Sequence, residues 1–205
     1  MKCFIVSLHR TGTKSTIGFM SCLGLSGIHF PVAHNGTDLQ QLVVGHETEP
    51  KFVMALLSPV FEAYDCAGDV PIPTLYPLLH ERYPEAKYVL LYRNPFDWVR
   101  SVRNHADNRS LEPFERVQYW HYFPSKPASI RDLGDQQLVR MCCRHTSEVI
   151  DFFGARAPDQ LGVFNLDSTQ IGPEIARFLD SPERPEFPVI NDKAVFGSGP
   201  FRMAH

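Results

Sequence analysis

Cys3-Phe4-Ile5-Val6-Ser7-Leu8-His9-Arg10-Thr11-Gly12-Thr13-Lys14-Ser15-Thr16 decides the fold. Cys3 to Leu8 is an apolar run of strand length, and the turn after it is polar and carries one glycine. From Lys14 onward Ile17, Met20 and Leu23 recur at helical spacing until Gly24 can end the helix. Strand, glycine turn, helix is the unit in which an anion is most easily held. The first N–H groups of a helix have no partner within it, and the helix dipole adds partial positive charge at that end. Gly12 lets the backbone approach a ligand closely, Thr11, Thr13, Ser15 and Thr16 offer hydroxyls, and Arg10 and Lys14 add full charges. The competing reading is a polar turn with an ordinary cap. So many donors beside a glycine at this position favour an anion-binding loop.

Working outward, Ile28 to Phe30 is a short strand candidate, and Lys51 to Leu57 is apolar but undecided between strand and helix. Pro73 to Tyr83 reads as a helix, with Leu75, Leu78, Leu79 and Tyr83 near one face and Pro84 as its stop. Tyr88-Val89-Leu90-Leu91-Tyr92 is the clearest buried strand. It ends at Arg93-Asn94-Pro95, where Asn94 can cap a helix that begins with Pro95. Residues 104–135 are polar, aromatic and rich in proline, without clear periodicity, as expected of a lid or binding loop. Asp135 to Phe153 is the longest helix, Leu161 to Leu166 a further strand, Pro173 to Leu179 a short helix, and the chain after Pro182 is irregular. Strands alternating with helices predict an α/β fold: one mainly parallel sheet covered on both faces, with ligands at the carboxyl ends of its strands.

The composition agrees with a single domain over residues 1–205. The chain is 43% hydrophobic and 21% charged, which excludes disordered and fibrous classes. A net charge of −3 gives no long-range attraction to nucleic acid or anionic membranes, so neither is expected as a partner, and any anion must be captured locally. Five scattered cysteines, an odd number, fit reduced thiols. Cys142, Cys143 and His145 are close in sequence but are read as helix packing rather than as metal ligands. No membrane span or signal segment stands out, which leads to an expectation of a soluble, cytoplasmic protein.

Two nucleotide-loop chemistries compete for the first turn. A Walker A loop places Gly, four residues, then Gly-Lys-Ser/Thr. Aligning Lys14-Ser15 with its end puts Thr13 and Leu8 where the glycines belong. A kinase also needs an acidic magnesium ligand after a hydrophobic strand. The strand at 88–92 ends in Arg93 instead, and Val163-Phe164-Asn165-Leu166-Asp167 is an interrupted candidate.

The sequence resembles the sulfotransferases that use 3′-phosphoadenosine 5′-phosphosulfate (PAPS). His9-Arg10-Thr11-Gly12-Thr13-Lys14-Ser15 is similar to that family's 5′-phosphosulfate loop. Tyr92-Arg93-Asn94-Pro95-Phe96-Asp97-Trp98-Val99-Arg100-Ser101 is similar to its second motif, a strand, Arg-x-Pro, then a helix with Ser eight residues after the Arg. The two lie about 80 residues apart, each at a strand-to-helix turn. Glu81-Arg82-Tyr83-Pro84-Glu85-Ala86-Lys87 and Phe187-Pro188-Val189-Ile190-Asn191 extend the likeness, to a small branch of the superfamily, over roughly residues 3–190. The resemblance implies a P-loop nucleotide-binding architecture and a sulfuryl transfer from PAPS that releases adenosine 3′,5′-bisphosphate and needs no metal. It implies that Arg10 to Thr16 hold the 5′-phosphosulfate, that Arg93 and Ser101 hold the 3′-phosphate, and that Arg10, at the position of the family's catalytic lysine, stabilises the departing charge with Lys14.

The acceptor needs a base. Many cytosolic members of the family have His-Leu-Pro about twenty residues before the phosphate-binding Arg, and here Asp69-Val70-Pro71 stands 24 residues before Arg93. That makes Asp69 the candidate base, with Glu62 and Asp65 as neighbours that compete for the role. A carboxylate is a weak base for an alcohol, so it would need a raised pKa or proton transfer late in the reaction. His9, His29, His34 and His105 are read as structural, and Trp98 and Trp120 as core or lid aromatics. The acceptor is expected to be a small molecule carrying a hydroxyl or amine, enclosed by residues 104–135, and a homo-oligomer is compatible with the sequence. Two rival readings are a magnesium-dependent phosphotransferase with a degenerate Walker loop and a non-catalytic nucleotide-binding protein.

Overall fold

The computed structural model describes residues 1–106, 108–183 and 185–190, and the statements below concern those residues. Asn191, the last residue of the motif comparison, lies outside them with the rest of 191–205. In chain order the elements are β1 (Cys3–Ile5), α1 (Thr13–Cys22), β2 (Gly27–His29), β3 (Ala33–His34), β4 (Thr37–Asp38), α2 (Leu39–Val43), α3 (Pro50–Ala63) and β5 (Cys66–Gly68). They continue with α4 (Tyr76–Arg82), β6 (Lys87–Tyr92), α5 (Pro95–Ala106), α6 (Pro113–Tyr122), α7 (Asp135–Arg156), β7 (Leu161–Asn165) and α8 (Ile171–Phe178).

Five strands form one sheet in the order β2-β5-β1-β6-β7, and every neighbouring pair is parallel. The β-strand period of two divides each central strand between two cores. Phe4, Val6, Tyr88 and Leu90 face one way, into a core with Val53, Leu57, Phe61, Leu79, Val149 and Phe153 from α3, α4 and α7. Cys3, Ile5, Val89 and Leu91 face the other, against Ile17, Phe19 and Met20 of α1 and Ile171 and Ile175 of α8. A sheet buried on both faces cannot alternate with polar residues, which is why 88–91 reads as an unbroken apolar run. Each fully buried large side chain contributes about 1.5–3 kcal/mol, so these layers fix the strand ends and the loops that leave them.

Two stretches differ from expectation and one left open is settled. Residues 51–57, undecided between strand and helix, belong to helix α3, which starts with Pro50 in its first turn and runs through Pro59. The 104–135 region is not irregular: α5 reaches Ala106, and α6 packs Phe114, Glu115, Val117, Gln118, Tyr119 and Tyr122 inward. Its buried face is half polar, which hides the hydrophobic period. The helix expected from Pro73 is a 3-10 turn, Ile72–Thr74, followed by α4.

Candidate functional site

The parallel register brings four loops to one end of the sheet. Ile5 pairs with Gly68 and with Val89, and His29 pairs with Gly68. The chain therefore leaves β1 toward Arg10, β2 after His29, β5 toward Asp69 and β6 toward Arg93 at the same carboxyl edge. Beyond β1, Val6 N–H still donates to Val89 O (2.9 Å) and Leu91 N–H to Ser7 Oγ (2.6 Å), so the turn starts from a chain held to β6 at Val6 and at Ser7.

The turn is built around a left-handed backbone. Gly12 has φ +80°, a conformation that favours glycine, and a Cβ there would lie 2.5 Å from Leu166 Cδ1, so that side chain would have to shift to admit one. Arg10, at φ 63°, is also left-handed, a conformation that a non-glycine residue holds only at a cost and that occurs often at functional sites. Helix α1 begins at Thr13 with no side-chain cap and no acidic residue in its first turn. Helices α5, α6, α7 and α8 each carry an acidic residue in the first turn; α3 and α4 lack both devices as α1 does, but each has a proline in its first turn, which needs no N–H partner.

The hydroxyls of the loop are mostly engaged within the protein. Thr11 Oγ1 donates to Leu8 O (2.5 Å), Thr13 Oγ1 to Asp69 Oδ2 (3.1 Å) and Thr16 Oγ1 to Gly12 O (3.0 Å). The Thr16 N–H also goes to Gly12 O, so Thr16 turns wholly into its own helix. Ser15 Oγ accepts from Ile190 N–H (3.0 Å) and keeps its own proton to give. The anion-binding capacity therefore rests on the backbone of the first turn, on Lys14 at that turn, and on guanidinium groups.

Those guanidiniums converge. Arg10 Nε donates to Ser101 Oγ (3.3 Å), joining the first loop to α5. Burial lowers the Arg10 pKa; Asp69 opposes that shift and the nearby Arg93 guanidinium adds to it. Two like charges that act on each other favour an anion near them. Arg93 Nε is buried and has no hydrogen-bond partner, a donor that a phosphate oxygen would satisfy. An unpaired buried donor, an uncapped helix and neighbouring guanidiniums together fit a polyanionic ligand.

Asp69 sits beside this cluster, at φ 75° in the turn after β5. Its Oδ1 accepts from Val70 N–H (2.7 Å), and its Oδ2 is 2.6 Å from His29 Nε2 and accepts from Thr13. Burial alone would push this carboxyl up. The His29 imidazole, by charge and hydrogen bond, with His9 and the Val70 N–H, overcomes that and holds it well below the usual carboxylate range. The raised pKa expected of a carboxylate base is thus reversed in direction. The two competing carboxylates lie elsewhere: Asp65 precedes β5 at the opposite end and accepts from Ser26 N–H and Oγ (2.9 and 2.6 Å), and the exposed Glu62 accepts from Tyr83 Oη (2.9 Å).

Among the histidines, His9 is buried and satisfied, its Nε2 2.8 Å from Tyr119 Oη and its carbonyl accepting from Trp98 Nε1 (2.8 Å). Burial, chiefly, holds its pKa down. His34 lies in the β3–β4 hairpin beside Asn35. His105 on α5 has its pKa lowered by burial and then by Arg10 and Arg109. Trp98 is fully buried, and Trp120 donates to Pro127 O (3.0 Å) with Arg116 and Lys126 over its ring, so neither is a bare stacking platform. What sequence reasoning missed is that His29 meets Asp69 and that Glu115, paired to Arg109 at 2.6 Å, lies behind His9 and Tyr119. Neither has a local signal.

Among the described residues no three metal-ligating side chains cluster, and no helix is long and apolar enough to cross a membrane. The solved structures similar to this one show its fold. A sulfotransferase domain from the curacin biosynthetic pathway matches with a TM-score of 0.53 at 15% identity, over 96% of this chain and 80% of that one. A sulfotransferase from Alicyclobacillus acidocaldarius matches equally, over 94% and 86%. So does a shikimate kinase from Bacteroides thetaiotaomicron, over 88% and 97%, so the shared architecture by itself does not fix one chemistry. In sequence, the chain is 28% identical over 110 residues to Ava biosynthesis cluster protein M of Aspergillus versicolor, a match covering 51% of this chain and 42% of that protein. A family model described as a sulfotransferase domain matches residues 2–196, nearly the whole length, and on that ground the chain belongs to the sulfotransferase family.

Proposed function

We propose that this protein transfers a sulfuryl group from PAPS to a hydroxyl or amine of a small molecule. The observation that supports this best is the convergence of Arg10, Arg93 and Ser101 beside the uncapped start of α1, with Arg93 Nε buried and unpaired. The first turn of α1, with Lys14, takes the 5′-phosphosulfate, and Arg93 and Ser101 take the 3′-phosphate. Fixed positive charge at Arg10 and Lys14 meets the charge that develops on the leaving phosphate, and placing it beforehand is what lowers the barrier. A sulfuryl group carries less negative charge than a phosphoryl, so these donors suffice without a divalent cation. Residues 104–135, with α6 anchored through Tyr119 to His9, bound the acceptor's side of the site.

The experiment is transfer of ³⁵S from labelled PAPS, with EDTA present, to a panel of phenols, alcohols and amines. Labelled product formed in EDTA supports the reading. Transfer of ³²P from γ-labelled ATP only with magnesium, and none of ³⁵S, would replace it with phosphoryl transfer. Tight nucleotide binding with neither transfer would leave a binding protein.

A further inference from the structure

His29 and Asp69 are 40 residues apart in sequence and meet because β2 and β5 are neighbours, with His29 in register with Gly68. Asp69 follows immediately, and its left-handed turn brings its carboxylate to the imidazole: His29 Nε2 to Asp69 Oδ2 is 2.6 Å. Thr13 Oγ1, on the first turn of α1, lies 3.1 Å from both atoms. The pair is thus moored to the helix whose N-terminus forms the anion site.

The two side chains are not equivalent. Both Asp69 oxygens are engaged, Oδ1 by Val70 N–H and Oδ2 by His29 and Thr13, and its side chain is 13% exposed. The His29 side chain is 23% exposed, and its ring contacts are made at Nε2, so among the described residues Nδ1 has no partner. With Nε2–H directed at the carboxylate, the neutral ring keeps its lone pair on Nδ1, and a carboxylate fixed behind an imidazole stabilises the imidazolium.

We infer that His29, not Asp69, receives the acceptor's proton at Nδ1, while Asp69 is a positioning residue that fixes the ring through Nε2 and balances its charge. This rests on the sulfuryl-transfer reading above. The acceptor oxygen forms its bond to sulfur as the sulfur–oxygen bond to the 5′-phosphate breaks and leaves its electron pair on that phosphate. The acceptor's proton passes to His29 Nδ1 and then to water. Arg10, His9 and His105 are the other titratable groups that act on Asp69 electrostatically.

The test compares wild type, His29→Ala, His29→Gln and Asp69→Asn in ³⁵S release from PAPS, with 2-naphthol as probe acceptor and water as background acceptor. Binding of adenosine 3′,5′-bisphosphate is measured in parallel. Both His29 variants are expected to lose about 100-fold or more in turnover while binding the bisphosphate within about threefold of wild type, and added imidazole is expected to restore part of the His29→Ala rate. Asp69→Asn is expected to lose less and to move the acid limb of kcat/KM to lower pH, which a purely structural role would not do. Turnover of both His29 variants within threefold of wild type, or an Asp69→Asn loss as deep as theirs with no shift of that limb, overturns the inference and leaves the transfer reading intact. If the wild type binds the bisphosphate but releases no ³⁵S to either acceptor, ¹⁵N NMR of the His29 ring decides. Nε2–H with a lower ring pKa in Asp69→Asn supports the pair, and an unchanged ring titration overturns it. Failure of bisphosphate binding by the wild type sinks the transfer reading itself.

Discussion

Gly12→Ala tests the central turn with a single methyl group. The backbone at Gly12 is left-handed, and placing an L-residue there costs about 1–2 kcal/mol. The added Cβ would sit 2.5 Å from Leu166 Cδ1, more than an ångström inside ordinary carbon–carbon contact, and overpacking of that kind costs about 1–3 kcal/mol. Leu166 is half-buried and its δ-methyl is the far end of a side chain, so part of the clash relaxes and the total should fall near 2–4 kcal/mol. Against a domain stability of about 5–15 kcal/mol that is a large, measurable fraction. Urea unfolding followed by tryptophan fluorescence, with Trp98 fully buried as the reporter, measures it. Adding Leu166→Ala removes the clash but not the dihedral cost, so the double-variant cycle should show a favourable coupling of about 1–2 kcal/mol. A Gly12→Ala protein within about 0.5 kcal/mol of wild type, or a cycle with no coupling, would refute this geometry of the turn.

His145 is buried between Tyr122 Oη (2.7 Å) and the Val6 carbonyl (2.7 Å), and burial lowers its pKa to about 4. Below about pH 6.5 the unfolded chain binds a proton that the folded chain refuses, so stability falls from there down to about pH 4, by about 3 kcal/mol in all. His145→Gln should flatten that part of the urea-midpoint profile, and a wild-type slope retained in the variant would count against it. Asp69 acts in the same direction over a lower window: its depressed carboxyl contributes stability above about pH 4 that drains away as pH falls further, so the gap between wild type and Asp69→Asn should close on acidification. Equal stability of the two at pH 7 would contradict this. Glu115 is buried and pairs with half-buried Arg109 at 2.6 and 2.7 Å, so Glu115→Gln should destabilise toward the lower end of the ~3–5 kcal/mol seen for broken buried pairs. A shift in thermal midpoint of less than 2 °C would show that the pair is dispensable.

The parts of this protein that were legible in its sequence are those whose signal is local. The run at 88–91 is apolar because both sheet faces are covered, and the turn at 9–16 carries its glycine and charges within eight residues. Asn94 was readable as a cap because its job is done two residues away, its Oδ1 accepting from Phe96 N–H (2.9 Å). Other elements were hidden for physical reasons. Strand β5 is three residues long and holds Cys66, Ala67 and Gly68, none a strong strand former, and it exists because β1 and β2 pair with it on either side. Helix α6 turns Glu115, Gln118 and Tyr119 inward, so its period looked broken. The loop threonines looked like ligand donors because residue type says nothing of where a hydroxyl points; Thr11 and Thr16 cap nearby carbonyls and Thr13 braces Asp69. The pairing of His29 with Asp69 depends on strand order alone, which no local pattern encodes.

Calorimetric titration with adenosine 3′,5′-bisphosphate in EDTA, on wild type and Arg93→Ala, bears most directly on the central claim. Arg93 offers a buried, unpaired Nε beside Arg10 and Ser101, so the account predicts metal-independent binding by the wild type and a loss of about 10- to 100-fold in Arg93→Ala, the worth of a charge-assisted hydrogen bond of ~1.5–3 kcal/mol. No bisphosphate binding by the wild type, or equal binding by Arg93→Ala, would contradict it.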